Sequence, residues 1–107
     1  MKRFGCNRLF IPSEGFITNY VLEIDSMTNN IAYFPLKEEI SNTEWIGGII
    51  FLSLYNHIEL TENLTIEKLI GRYSVISNQT PLYAWHIFNI DISLNGVVRR
   101  ENLRLLQ

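Results

Sequence analysis

Two histidines and a glutamate are the residues of this chain best suited to metal chemistry. His57 and Glu59 stand two positions apart, so they would share one face of an extended strand, and His86 or Asp91 could complete the three protein ligands of a zinc site. The chain has no His-x-His, His-Glu-x-x-His or paired-cysteine pattern. A small metal-binding protein or metal-dependent hydrolase using His57, Glu59 and His86 is therefore the alternative hypothesis, and the leading one involves no metal or other cofactor.

The remaining reactive side chains favour structural roles. His86 lies among Ala84 and Phe88 on an apolar face, where a hydrogen-bonded structural histidine is the common outcome. Cys6 has no lysine or histidine beside it in the sequence, which predicts a buried, inert thiol. Gly47-Gly48 lacks the spacing of a nucleotide-binding loop. We therefore predict no catalytic residues and no enzyme.

Composition limits the partners. The chain has 107 residues, enough for one domain, with 47% hydrophobic and 19% charged residues. The net charge of -2 favours neither nucleic acid nor an anionic membrane. The basic cluster of Arg99, Arg100 and Arg104 would be split between the faces of a strand. A single cysteine permits no disulfide within the chain, and no apolar run approaches the roughly 18 residues of a membrane span, so we expect an unprocessed cytoplasmic protein.

The elements that would position these residues are mostly strands. Residues 44–60 predict the central strand, because residues 49–55 are almost continuously apolar, as in a strand covered on both faces. Gly47-Gly48, just ahead of that run, indicates a bulge or a close backbone approach. Ile66, Leu69, Ile70 and Tyr73 have helical spacing after Thr65, a suitable N-cap.

The other strands are predicted from alternation and turn residues. Hairpins are expected at Asn29-Asn30 and at Asn95-Gly96. The fold class is therefore mainly β (α+β): a single small domain over residues 1–107, with five to six strands in a mostly antiparallel sheet or sandwich and one short helix near residues 65–73. Besides the central strand, the predicted strands are residues 2–11, 16–25, 31–36, 83–94 and 97–106.

The first half resembles the opening of amidohydrolase-type metal-dependent hydrolases, above all in residues 2–12, the Asn29-Asn30 hairpin and residues 45–56. That family builds a small accessory (composite) β subdomain from both chain ends around a catalytic barrel, whose first strand carries a His-x-His metal pair. Here Gly48-Ile49-Ile50 precedes His57, but Tyr55 stands where the first histidine would be. Because a barrel needs about 250 residues, the resemblance implies the accessory subdomain alone.

An accessory sheet without its barrel would expose an apolar patch, and such patches are usually covered by an interface. We predict Trp45, Tyr83, Trp85 and Ile87 as the interface residues. The leading functional hypothesis is therefore a non-catalytic domain that associates with itself or with another protein. A small-molecule pocket between sheet and helix is a third, weaker hypothesis.

Overall fold

The computed structural model of the chain describes residues 2–25, 27–28, 30–37, 42–60, 63–76, 78–90 and 95–106. These residues form a compact single domain, and the predicted class, mainly β with one short α-helix, is confirmed. The strands are β1 (Lys2–Cys6), β2 (Leu9–Ile11), β3 (Gly15–Ile17), β4 (Tyr20–Asp25), β5 (Asn30–Pro35), β6 (Thr43–Ile46), β7 (Ile49–Ser53), β8 (Tyr83–Ile87) and β9 (Leu103–Leu106). The helices are α1 (Ile66–Tyr73) and a short 3-10 helix, η1 (Arg100–Asn102).

The strands form two mixed sheets. Sheet A has the order β5-β4-β1-β6, and sheet B has the order β3-β2-β7-β8-β9. The β1–β6 and β2–β7 pairs are parallel and the other pairs are antiparallel. The strand return expected after Asn29-Asn30 is confirmed, because β4 pairs antiparallel with β5 from Asp25 opposite Asn30 to Tyr20 opposite Pro35, although Asn29 itself lies outside the described residues.

Three of the predicted strands, residues 2–11, 16–25 and 44–60, each bend and continue from one sheet into the other, and the third ends at Ser53 instead of reaching residue 60. Two of the bends contain residues with left-handed backbone angles, Asn19 at φ 56° and Gly48 at φ 83°. Asparagine and glycine tolerate this region best, which suits them to the bends. The described chain consequently has nine short strands rather than six long ones.

Two hydrophobic clusters hold the layers together. One fills the space between the sheets, with Phe4, Leu22 and Ile24 of sheet A against Ile50 and Leu52 of sheet B. The other lies between sheet B and α1, where the residues in contact are Ile49, Phe51, Ile66, Leu69, Ile70, Trp85 and Ile87. Sheet B is thus covered on both faces. All five residues of β7 are buried, which confirms it as the central strand of that sheet.

Helix α1 begins where the spacing predicts. The side chain of Thr65 accepts a hydrogen bond from the backbone N–H of Lys68, so Thr65 is the N-cap. Glu67 lies in the first turn and Arg72 in the last, both favourable against the helix dipole. The amphipathic helix is confirmed.

The C-terminal prediction is wrong in two places. Strand β8 ends at Ile87, because the Asn102 side-chain amide donates to the carbonyls of Phe88 (3.1 Å) and Asn89 (3.0 Å), which a longer strand would use for pairing. Val97 pairs with Thr65 instead of starting the last strand, and only Leu103–Leu106 forms β9. Residues 91–94, including Asp91 and part of the Asn95-Gly96 hairpin, lie outside the described residues.

Candidate functional site

Trp45 lies on β6, the strand at one edge of sheet A, and 52% of the residue is exposed. Its indole ring lies against the backbone of Gly5 on the neighbouring strand. A Cβ atom on Gly5 would come within 2.8 Å of Cδ2 of the ring and 2.9 Å of Cε2 and Cε3. The ring therefore rests on sheet A in a position that the missing side chain of Gly5 makes available.

Two further apolar residues lie on the same sheet face, next to Gly5 and the Trp45 ring. Val21 lies directly opposite Gly5 on β4, and Phe34 lies opposite Val21 on β5. Because side chains alternate along a strand, and Phe4 and Leu22 point into the sandwich, Gly5 and Val21 belong to the outer face. Val21 has no exposed surface yet belongs to neither core cluster, so its outer-face neighbours cover it. We call Gly5, Val21, Phe34 and Trp45 the Trp45 patch.

A cross-strand ion pair borders the patch. Arg3 and Glu23 lie opposite each other on β1 and β4, two positions from Gly5 and Val21, and therefore on the same outer face. The Arg3 Nε donates to Glu23 Oε2 at 2.5 Å, with the two side chains 31% and 22% exposed. An apolar centre beside a partly exposed polar border is the usual organisation of a protein contact surface.

The four predicted interface residues do not form one surface. Trp85 and Ile87 are 5% and 0% exposed and pack beneath α1, so their placement in an exposed patch was wrong. Tyr83 is half-buried against the same cluster. The error has a physical cause. Asn89, Asp91 and Ser93 alternate with Trp85 and Ile87 in the sequence, which predicted a partly solvent-exposed strand face. However, β8 ends at Ile87, and α1 covers the face that carries Trp85 and Ile87. Only Trp45 is left as a largely exposed candidate.

The three predicted metal ligands do not come together. His57 and Glu59 are exposed in the segment between β7 and α1, whereas His86 is buried in β8. Within the described residues, no three histidine, cysteine, aspartate or glutamate side chains are grouped so that they could hold a metal ion.

Both ring nitrogens of His86 are engaged. Nε2 lies 2.5 Å from the carbonyl oxygen of Gly47, which can only accept, and Nδ1 lies 2.9 Å from the Nε of Arg104, which can only donate. These partners assign the proton to Nε2 and the lone pair to Nδ1. The neutral ring therefore has no free lone pair for a metal. The structural role predicted for His86 is confirmed, but the link to Arg104 was not foreseen.

The burial of His86 lowers the pKa of its imidazole, and the nearby Arg104 guanidinium lowers it further, against the opposing effects of the Gly47 carbonyl and Glu44. Protonating Nδ1 would also remove the acceptor that holds Arg104.

We therefore expect stability to fall as the pH is lowered below 6.5, the ordinary pKa of histidine, because the unfolded chain binds a proton before the native one does. The loss is at most about 1.4 kcal/mol per pH unit for this one group, and it ends below the native pKa. Asp25, whose pKa is lowered chiefly by the Met27 backbone N–H, titrates below its ordinary 3.8 and outside this window. Urea unfolding between pH 7.5 and 5 measures the effect. A His86→Gln variant that unfolds with the same pH dependence as the wild type would contradict it.

Cys6 offers no nucleophile. The thiol is buried in the core between the sheets, and its Sγ lies 3.7 Å from the carbonyl oxygen of Tyr20. Burial raises the pKa of Cys6 to about 11, so the thiol is protonated at neutral pH. The predicted inert thiol is confirmed.

Two of the concave surfaces formed by the described residues lie beside the elements discussed above. The first, which we call the edge cleft, has a volume of about 440 Å³ and lies between the edges of the two sheets at β6 and β9. It is lined by Lys2, Arg3, Phe4, Asn42, Glu44, Arg104, Leu105 and Leu106. The second, of about 430 Å³, lies between α1 and strands β2 and β3, where the third hypothesis put a pocket, and is mostly apolar.

Arg100 and Arg104 point to different sides of sheet B, but not through the strand alternation that was predicted, because Arg99 and Arg100 lie before β9. Arg100 donates from Nη2 to the carbonyl oxygen of Ile58 at 3.2 Å, on the α1 side of sheet B. Arg104 lies on the opposite face of β9 and reaches His86. These contacts place Arg100 and Arg104 on opposite sides of sheet B.

No protein-family model matches the chain, and neither a curated protein nor a solved structure shows significant similarity to it. In the part of the chain that the structure describes, none of the helices has the length and apolar character needed to cross a membrane.

Proposed function

We propose that this protein works by association, as a non-catalytic domain that pairs with a second copy of itself through the Trp45 patch. The observation that carries the proposal is the Trp45 indole, which lies flat on an outer sheet face over Gly5 with half of the residue exposed. Tryptophan is enriched among the residues that dominate binding energy at protein interfaces.

The location of the patch supports this role. Helix α1 packs on sheet B, and its cluster includes no residue of sheet A. The outer face of sheet A therefore receives none of the helical layer that covers sheet B. A flat indole on a pleated sheet is a surface that a second protein can cover without a deep pocket.

A second copy suits the patch as its occupant. In a two-fold dimer the same residues meet themselves, so the surface must be self-complementary. The Trp45 patch is apolar, and its border carries one cation and one anion, Arg3 and Glu23, rather than charge of one sign. The net charge of -2 adds little long-range repulsion between two copies.

The side chains also favour a role without catalysis. His86 has both nitrogens engaged, and the pKa of Cys6 is about 11, so neither is poised for proton transfer or nucleophilic attack at neutral pH. The lone buried thiol suits a reducing compartment, and we place the association in the cytoplasm. A relation to the accessory subdomain of amidohydrolases stays a prediction.

We expect Trp45→Lys to weaken self-association at least about 30-fold, because losing one dominant interface residue costs about 2 kcal/mol or more. Sedimentation velocity over a range of concentrations measures the dissociation constant. Ile76→Lys is the matched control: Ile76 is 59% exposed but lies next to α1, away from sheet A, so its replacement should leave association unchanged.

Two results would overturn the proposal. One is a wild-type protein that stays monomeric at every concentration, which would leave a different protein as the only partner for the Trp45 patch. The other is a dimer that Trp45→Lys and Ile76→Lys weaken equally, which would place the contact elsewhere.

A further inference from the structure

We propose that the edge cleft binds a small oxyanion, a carboxylate or a phosphate, with Arg104 and Lys2 as the groups that hold it. The proposal is independent of the Trp45 patch. It rests on the way Arg104 is held, on the charges that line the cleft, and on the space between the sheet edges.

Arg104 is anchored before any ligand arrives. Its Nε donates to Nδ1 of the buried His86 at 2.9 Å, and its guanidinium lies 5.4 Å from the centre of the Phe88 ring. The rings of His86 and Phe88 are themselves stacked, with centroids 5.1 Å apart. Freezing an arginine side chain usually costs conformational entropy on binding. Here the histidine and the phenylalanine have already fixed its direction.

The anchoring leaves the binding end of the guanidinium unused. Nε is committed to His86, but among the described residues no carboxylate or carbonyl accepts from the two terminal nitrogens of Arg104. These nitrogens form the planar fork that binds carboxylate and phosphate oxygens in pairs. Because Arg104 lines the cleft, an oxyanion there can occupy the fork.

The charge in the cleft has the right sign. The described residues that line it include three cations, Lys2, Arg3 and Arg104, and one anion, Glu44. Arg3 is neutralised by Glu23 on the outer face. Among the described lining residues, Lys2 and Arg104 are then opposed by Glu44, which leaves one excess positive charge on this part of the cleft in a protein whose net charge is -2. A local field opposite to the overall charge concentrates small anions there.

The volume fits a small ligand. About 440 Å³ lies within the range of small-molecule sites, and Phe4, Leu105 and Leu106 supply apolar lining beside the charged groups. A compact acid with a short carbon skeleton would contact both the charged and the apolar side chains of the cleft.

The test uses the 107-residue chain at pH 7 and constant ionic strength. Inorganic phosphate and succinate are titrated separately, and NMR follows the arginine Nε–Hε resonances. It also follows the backbone amide resonances of Leu105 and Leu106, which line the cleft and report on variants that lack Arg104. We expect a saturable shift of the Arg104 resonance with at least one of the two anions, at concentrations up to about 20 mM. The anion that binds more tightly assigns the ligand class. If neither gives a saturable shift, the proposal fails.

Variants that remove a positive or a negative charge from the cleft should change the anion affinity in opposite directions, which makes the test specific. Arg104→Gln should weaken binding about tenfold or more, as expected for hydrogen bonds to a charged group. Glu44→Gln should tighten it about two- to fivefold, because it removes the opposing charge. Arg72→Gln, which removes one positive charge from α1, is the control and should change affinity less than about twofold. Equal effects of Arg72→Gln and Arg104→Gln would show a non-specific charge effect and overturn the proposal.

Arg104→Lys tests the anchoring. It keeps the charge but loses the planar fork and the contact with His86, so binding should weaken about fivefold or more. An affinity equal to that of the wild type would contradict a role for the fixed guanidinium. Because the titrations can be repeated in Trp45→Lys, anion binding and self-association succeed or fail separately.

Discussion

Gly48→Ala is expected to destabilise the fold by about 2–5 kcal/mol, adding the strain of a left-handed alanine to the overlap of the new methyl group with the Ile87 backbone. Gly48 has φ 83°, and a Cβ atom there would overlap the carbonyl oxygen of Ile87 and lie 3.4 Å from Nε2 of His86. The carbonyl belongs to the backbone of β8, which is paired with β7 on one side and β9 on the other, and cannot move aside like a side chain. The close backbone approach predicted for Gly47-Gly48 is therefore confirmed, and Gly48 is the residue that requires it.

Gly47→Ala is the matched control. No heavy atom would lie within 4 Å of a Cβ on Gly47, and its φ is not positive. The free energy of unfolding of Gly47→Ala should be unchanged or higher than that of the wild type by up to about 1 kcal/mol, because alanine reduces the conformational freedom of the unfolded chain. Urea unfolding followed by circular dichroism compares the two variants. A difference of less than about 1 kcal/mol between them would show that the bend between β6 and β7 does not need glycine.

Trp85→Glu is expected to abolish the folded state. Trp85 is 5% exposed between sheet B and α1, and its Nε1 donates to the carbonyl oxygen of Tyr55 at 2.9 Å. Removing a buried tryptophan costs about 3–5 kcal/mol, and burying an unpaired carboxylate adds several more. The sum approaches the 5–15 kcal/mol that stabilises most domains. We expect no cooperative unfolding transition at 25 °C.

Trp45→Glu makes the matched comparison, because it places the same charge at the other tryptophan. Half of Trp45 is exposed, so a carboxylate there stays hydrated, and monomer stability at low concentration should change by no more than about 1 kcal/mol. Equal destabilisation by the two substitutions would contradict the placement of Trp85 in the core and Trp45 on the surface.

The central strand and the helix could be predicted because their signals are local. The uninterrupted apolar run of residues 49–52 requires cover on both faces, and the structure supplies sheet A on one side and α1 on the other. Thr65 and the helical spacing of Ile66, Leu69 and Ile70 are contained within six residues. Each pattern depends on burial or capping within one element.

The rest depended on contacts distant in sequence. Asn102 ends β8 through bonds to Phe88 and Asn89, and nothing near residue 88 signals this. Because the strand was predicted to continue beyond Ile87, Trp85 and Ile87 were wrongly predicted to be exposed.

The link between His86 and Arg104 has the same origin. It requires the register of β8 with β9, in which the two residues lie directly opposite each other. A hairpin at Asn95-Gly96 would have given a different register. The Trp45 patch, in contrast, could be predicted in part. The sequence predicts Trp45 as an interface residue, but the contact of its ring with Gly5 depends on the parallel pairing of β6 with β1.

The most direct measurement of the central claim follows the fluorescence of Trp45 itself. In Trp85→Phe, which should keep the core apolar, Trp45 is the only indole. Its emission should shift to the blue, and acrylamide should quench it less, over the same concentration range in which sedimentation shows the mass doubling. An indole that stays equally accessible to acrylamide while the mass doubles would contradict pairing through the Trp45 patch, as would a protein whose mass never changes.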